Sequence, residues 1–390
     1  MKKIIIAPDS FKGSLTSTEV ANAMEEGIKK VFPNCEIVKT AIADGGEGTT
    51  ETLVNALNGE KVKVKVHDPL MRPIEVEYGL VDNGRTAVIE MAAASGITLL
   101  RKQEQNPAIT TTFGTGEIIK DALKCGCRSF LIGIGGSATN DAGTGMLKSL
   151  GYRFLDKNGN ETDGTGKSLH SICSIDKSGA MPELKDANFT IACDVNNPFS
   201  GPNGAASVYA PQKGANKQMV KELDEGLESF RKLIETETEI DLNTVSGAGA
   251  AGGLGGGFVA FLNAQLKPGI EMVLEAVDFD KHLQNADLVI TGEGKLDKQT
   301  GMGKAAIGVL DAANKRNVPV IAIGGSIEDI ENLNKRGFLS LFSIVPYPIS
   351  MEEAMHKENA RRNTIQITEQ IMRTIKYFQK KLTQNKSTPA

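Results

Sequence analysis

Short apolar runs closed by glycine and polar residues alternate along the chain with stretches of helical spacing. Lys2-Lys3-Ile4-Ile5-Ile6-Ala7 predicts a buried strand, and Thr16-Ser17-Thr18-Glu19 fits a capping box for a helix to about Phe32. Residues 36–40 predict a second strand, followed by the loop ADGGEG and a helix from about Thr49 to Leu57. Strand–loop–helix twice over is the pattern of a parallel sheet with helices on its faces. The pattern then changes. KVKVKV at 61–66 and IEVEYG at 74–79 alternate strictly, as half-buried antiparallel strands do, and RTAVIEM at 85–91 is a further strand. Strands at 129–134 and 189–193 and helices at about 141–150 and 217–236 follow. The last helix places Val220, Leu223, Leu227, Phe230 and Ile234 at spacings of three and four. From about 287 the first pattern returns, with strands at 287–291, 318–323 and 339–345. Helices start near 304 and after the GGS at 324–326. A terminal helix carries Ile367, Ile371, Ile375, Phe378 and Leu382, and Thr383–Ala390 are expected to fray.

This order predicts an α/β protein. A doubly wound, Rossmann-like parallel-sheet domain is built from both chain ends, residues 1–66 and 281–390, and an inserted second α/β domain spans 67–280. The cleft between two such domains is the expected ligand site.

Composition narrows the function. Lys and Arg total 44 against 48 Asp and Glu, a net charge of −4, so no basic excess is present to neutralise a nucleic-acid backbone. Aromatic residues are 5% and Trp is absent, which leaves few platforms for base stacking. The five cysteines form no C-x-x-C pair and the four histidines lie far apart, which argues against a disulfide framework and a zinc site. Reduced thiols and an h-region cut short by Pro8-Asp9 point to the cytoplasm rather than export. The longest charge-free stretch, Leu242 to Leu266, is crowded with glycine over Gly247–Gly257. It reads as a glycine-rich loop entering a short helix, not as a membrane span.

Glycine is 42 of 390 residues, about 11% against a usual value near 7%, and it clusters where strands end. Asp9-Ser10-Phe11-Lys12 follows the first strand and Asp44-Gly45-Gly46-Glu47 the second. Gly292-Glu293-Gly294-Lys295 follows the strand at 287–291, and Gly324-Gly325-Ser326 the strand at 318–323. Ligands of open α/β sheets bind at the carboxyl ends of strands, so these four loops are expected to converge on one edge. In the middle domain, Gly135-Gly136-Ser137-Ala138-Thr139-Asn140-Asp141 precedes the helix expected at 141. Backbone N–H groups there, with the Ser137 and Thr139 hydroxyls, suit a phosphate. Lys12 and Lys295 suit a phosphate or a substrate carboxylate. Asp44, Asp194 and Asp297 are candidates for magnesium ligand or base; Asp194, after the strand 189–193, serves equally as a turn residue before Asn196-Asn197-Pro198. No P-loop sequence is present. Gly247-x-Gly249-x-x-Gly252 matches the dinucleotide fingerprint, but it follows Asp241-Leu242-Asn243-Thr244, a poor strand.

The strings APDSFKGS (7–14), ADGGEGT (43–49), VIEMAAASG (88–96), IGGSATNDAG (134–143), ACDVNNPF (192–199), APQKGA (210–215) and TGEGKLDKQT (291–300) resemble the bacterial glycerate kinases, the class without a P-loop. The resemblance runs from about Met1 to beyond Pro346. It implies the two-domain fold above and ATP-dependent phosphorylation of D-glycerate, to 2-phosphoglycerate or 3-phosphoglycerate. Lys295 can be Arg in that family, which keeps its charge but not a bidentate geometry. On phosphoryl-transfer chemistry, Mg²⁺ would accompany ATP at Asp44 or Asp297, and Lys12 and Lys295 would neutralise charge. Ser10, Gly45, Gly46, Gly135, Gly136, Ser137, Thr139, Gly292 and Gly294 would hold nucleotide or phosphate, and Asp194 would orient the attacking hydroxyl. Two other classes are distinguished by experiment: a dehydrogenase by nicotinamide binding, and a non-catalytic binding protein by sugar-acid binding without ATP turnover.

Overall fold

The computed structural model describes all residues except 41, 44, 47, 298–304 and 387–390, with side chains to Lys381. In chain order the strands are β1 (Lys3–Pro8), β2 (Glu36–Lys39), β3 (Glu60–His67), β4 (Pro73–Val81), β5 (Thr86–Glu90) and β6 (Ser129–Gly133). They continue as β7 (Arg153–Leu155), β8 (Ser174–Asp176), β9 (Asn188–Ala192), β10 (Gln265–Lys267), β11 (Leu288–Leu296), β12 (Val320–Ile327) and β13 (Ser340–Ser343). The chain divides into two compact units, Met1–Asp44 with Val273–Ala390, and Gly45–Met272.

The first unit is a five-stranded parallel sheet in the order β13-β12-β11-β1-β2. Strands covered on both faces need apolar residues at successive positions, and Ile4, Ile5 and Ile6 are fully buried. The helix Ser17–Lys29 starts at a formed capping box: Thr16 Oγ1 accepts from the Glu19 N–H, and the Glu19 carboxylate accepts from the Thr16 N–H. The terminal helix, Lys357–Lys386, packs on it through Ile371 and Met372. This helix runs to Lys386, and the rest of the tail expected to fray lies outside the described residues. Phe378, expected on its apolar stripe, is exposed beside Tyr377 instead.

The second unit holds a six-stranded mixed sheet, β10-β9-β6-β5-β4-β3, with β7 and β8 paired separately. β3, β4 and β5 are antiparallel; β5, β6, β9 and β10 are parallel. The strict alternation of β3 is satisfied by β4, which pairs with it over eight residues from Glu60–Leu80 to His67–Pro73. That pairing draws the segment after Gly45 into the second unit. The helix Lys217–Thr238 buries Leu223, Leu227, Phe230 and Ile234, and its Asn216 cap accepts from the Met219 N–H. Phe230 meets Phe154 edge-on at 5.7 Å, and Phe130 stacks on Phe189 at 4.7 Å.

The glycine-rich stretch becomes the helix Ala250–Leu262, whose first turn is broken by left-handed residues at Ala251, Gly252 and Gly253. A loop of turns, not a strand, precedes it, so the βαβ setting of a dinucleotide fingerprint is missing there. Among the described residues no helix is long and apolar enough to cross a membrane.

Candidate active site

In the first unit the chain runs from β1 to β2 on one side, and β11 later enters on the other side of β1. This reversal makes the carboxyl ends of β1 and β11 a switch point, where two loops part and leave a crevice. A cavity of about 420 Å³ lies there. Asp9, Ser10, Lys12, Glu293 and Lys295 form its polar edge, and Phe11, Ile344, Met351 and Met355 are among its apolar lining. The Asp9 N–H donates to the Gly292 carbonyl at 2.8 Å, so the loop begins in register with β11. A tight turn then closes, with the Phe11 N–H donating to Leu15 O and the Ser14 and Leu15 N–H groups to Phe11 O. The Asp9 and Glu293 carboxylates are nearly buried. Lys295 Nζ lies 3.0 Å from Glu328 and 3.4 Å from Asp297; the Glu328 hydrogen bond leads in holding the ammonium's pKa above its ordinary value.

Gly292-Glu293-Gly294-Lys295, expected as a loop, is instead strand. β11 continues to Leu296, paired with β12, so that Gly292 faces Ile323 and Lys295 faces Ser326. A Cβ on Gly292 would stand 2.1 Å from the Ile323 carbonyl oxygen, which explains this glycine by close approach of two strands. Ser10, Lys12, Gly294 and Lys295 therefore meet around one cavity, while Gly292 lies below it in the sheet, its carbonyl committed to Asp9. Asp297 is ion-paired to Lys295. Asp44 lies outside the described residues.

Gly45, left-handed at φ +82°, packs within the second unit: a Cβ there would meet the Ala192 Cβ at 2.5 Å. Gly133, at the end of β6, would in turn meet the Gly45 carbonyl oxygen at 2.3 Å, and Gly46 adjoins Gly135. Gly45 and Gly46 thus belong with Gly135–Asp141 at the carboxyl ends of β6 and β9.

There the helix starts at Thr144, three residues later than expected, and has only six residues. Its N-terminal donors are taken by the chain itself. Fully buried Asp141 accepts from the Thr112 N–H at 2.7 Å, the Thr112 hydroxyl at 2.8 Å and the Gly143 and Gly145 N–H groups. Burial pushes the Asp141 carboxyl above its ordinary pKa, and these donors oppose the shift. The helix terminus is thus filled by a carboxylate of the chain, and the expected phosphate contact there has to come from the preceding residues. Those are fixed by backbone bonds: the Ile97 N–H donates to Gly136 O, and the Ala138 N–H to Ser95 O.

Sequence reasoning did not single out Lys213. It is 2% exposed, and its Nζ donates to Ser137 Oγ at 2.5 Å and to Thr139 O at 2.6 Å. Burial pushes its pKa down to about 7, partly countered by the Asp141 charge. The signal available was a lysine between Ala210 and Ala215 in a Pro-Gln-Lys-Gly turn, a place where a surface cation is the ordinary expectation. Thr139 Oγ1 and both amide atoms of Asn140 are buried without a hydrogen-bond partner among the described residues. Asp194 is exposed after β9, and its Oδ1 accepts from the N–H of Gly269, the first residue of the helix Gly269–Ala276, at 2.8 Å. That contact ties it to a segment distant in sequence.

Among the described residues no group of three His, Cys, Asp or Glu side chains is placed to hold a metal ion. The donors at the switch-point cavity, Asp9, Glu293 and nearby Asp297, are carboxylate oxygens, the hard donors that suit Mg²⁺ when phosphates and water complete its shell.

The glycerate kinase family model matches residues 4–376. A glycerate kinase of Bacillus subtilis (strain 168) is 50% identical over 353 residues, covering 90% of this chain and 92% of that protein. The glycerate 2-kinase of Escherichia coli (strain K12) is 45% identical over 353 residues, covering 90% and 93%. A crystal structure from Salmonella typhimurium LT2, described provisionally as a glycerate kinase 2, superposes with a TM-score of 0.89 at 43% identity, covering 97% of this chain and 99% of the other. A family match across nearly the whole chain, together with relatives at this identity, establishes that the chain belongs to the glycerate kinase family.

Proposed function

We propose that the protein transfers the γ-phosphoryl group of ATP to the 2-hydroxyl of D-glycerate, yielding 2-phosphoglycerate and ADP. The observation that carries this reading is the switch-point cavity, lined by apolar side chains together with two lysines and two nearly buried carboxylates, in a chain of this family. The choice of the 2-hydroxyl rests on the E. coli relative named a glycerate 2-kinase.

The apolar wall suits a nucleotide base, and Lys12 and Lys295 suit the phosphates, with Ser10 and Gly294 beside them. Mg²⁺, when bound, neutralises phosphate charge. Asp297 would ligate it, with Asp44 as the further candidate and phosphates and water completing its shell. In the second unit, Gly45, Gly46, Gly135, Gly136, Ser137 and Thr139 supply backbone and hydroxyl donors for the phosphoryl oxygens, a charge-stabilising role that phosphoryl transfer requires more than covalent chemistry. Asp194 orients the glycerate hydroxyl and receives its proton as the oxygen bonds to phosphorus and the bond to the ADP oxygen breaks. The reaction consumes a soluble organic acid and a nucleotide, in keeping with a cytoplasmic enzyme.

The test is ADP release by the purified protein with ATP, Mg²⁺ and D-glycerate, with phosphorus NMR of the product. ADP formation should require both glycerate and Mg²⁺, and the product resonance should be that of 2-phosphoglycerate. ADP formed equally without glycerate, or unaffected by EDTA, contradicts the kinase reading; a 3-phosphoglycerate resonance contradicts the regiochemistry alone.

A further inference from the structure

We infer that Lys213 is a positioning residue that turns the Ser137 hydroxyl proton away from itself and so favours donation by Ser137 toward the substrate phosphoryl or carboxylate oxygen. A serine hydroxyl carries one proton and two lone pairs, and left alone it rotates to suit its neighbours. In its protonated form, which the Asp141 charge favours, the lysine has only protons to give. With Nζ 2.5 Å from Ser137 Oγ, Lys213 occupies a lone pair of the serine, so the serine proton must point elsewhere. The second Lys213 bond, to the Thr139 carbonyl, fixes the ammonium on the Ser137–Thr139 segment.

The lysine is itself held in place. It lies in the turn Pro211–Lys213, is 2% exposed and has the Asp141 charge as its electrostatic counterpart. Asp141 is in turn anchored by Thr112, Gly143 and Gly145. Ser137 is also fixed along the backbone, since its neighbours Gly136 and Ala138 are bonded to Ile97 and Ser95. A buried ammonium that spends two protons on one short loop costs desolvation, and a small hydrophobe would fill the space without that cost. The orientation of the Ser137 proton is what the ammonium supplies and a hydrophobe does not.

This inference rests on the phosphotransferase reading, and a double-mutant cycle tests it separately. Lys213→Met keeps the length of the side chain and removes the charge; Ser137→Ala removes the hydroxyl. Each single variant should lower kcat/KM for glycerate phosphorylation at least tenfold. The double variant should be no more than about threefold below the weaker single, because both remove one and the same hydrogen bond. Multiplying losses, or Lys213→Met within threefold of wild type, would overturn the inference while leaving the kinase reading intact. If wild type itself shows no glycerate-dependent turnover, it is that reading which fails. Should Lys213→Met not fold, Ser137→Ala decides alone: the inference requires a loss of at least tenfold at unchanged melting temperature, and wild-type activity overturns it.

Discussion

At the scale of single residues, the acidic side chains divide by what already holds them. Asp141 is spent on its own loop, accepting from Thr112, Gly143 and Gly145. Asp297 is paired with Lys295. Asp194, exposed at the end of β9, accepts from the Gly269 N–H. Asparagine at 194 retains an acceptor for that N–H but cannot take a proton from a hydroxyl. Asp194→Asn should therefore keep the melting temperature and lower kcat by about 10²–10⁴-fold, the usual weight of a general base. Activity within threefold of wild type in steady-state assays would assign the aspartate to capping the helix Gly269–Ala276 and move the base elsewhere.

At the scale of elements, the close pairing of β11 and β12 is the most demanding contact in the first unit. A methyl group on Gly292 must displace the Ile323 carbonyl, and overpacking of this kind costs about 1–3 kcal/mol. Gly292→Ala should lower the midpoint of urea unfolding accordingly; an unchanged midpoint would show that the strands can part freely. The strands themselves were legible because their apolar runs and alternations are local properties of the chain, as in Ile4–Ile6 and β3. The extension of β11 through Gly-Glu-Gly-Lys was not. Two glycines and two charges carry no strand signal, and only the neighbouring β12 makes them pair. Lys213 escaped for a related reason. Its burial is created by Ser137 and Thr139, more than seventy positions away, and no periodicity reports that. Among the site residues, Ser10, Lys12, Gly294 and Lys295 were readable as a group because strand-end loops in a parallel sheet share one edge. Gly45 opens the second unit, and its packing on Ala192, almost 150 positions away, carries no local signal.

At the scale of the whole molecule, two apolar cores are distinct. One gathers Ile4, Ile6, Met24, Ile290 and Ile323, the other Phe130, Phe154, Phe230 and Phe258. Separate cores give separate cooperative units, so calorimetry should resolve two transitions rather than one. A ligand that binds one folded unit raises that unit's transition by mass action, by about 2.7 kcal/mol at a hundredfold excess over Kd. A non-hydrolysable ATP analogue with Mg²⁺ should raise the transition of the unit holding the switch-point cavity. A shift confined to the other unit would relocate the nucleotide site.

The position of β1 in its sheet also governs how the chain must be born. Its partners are β2, which emerges from the ribosome almost at once, and β11, which follows only after the whole segment Gly45–Met272 has been made. During that interval the Ile4–Ile6 run has one open edge, the kind of surface that recruits strands from other chains. The inserted unit meanwhile holds all of its own sheet partners and is complete first, although β1 and β2 precede it. Synthesis thus leaves β1 waiting for its second neighbour, and the helix Ser17–Lys29, packed against it, shelters it meanwhile.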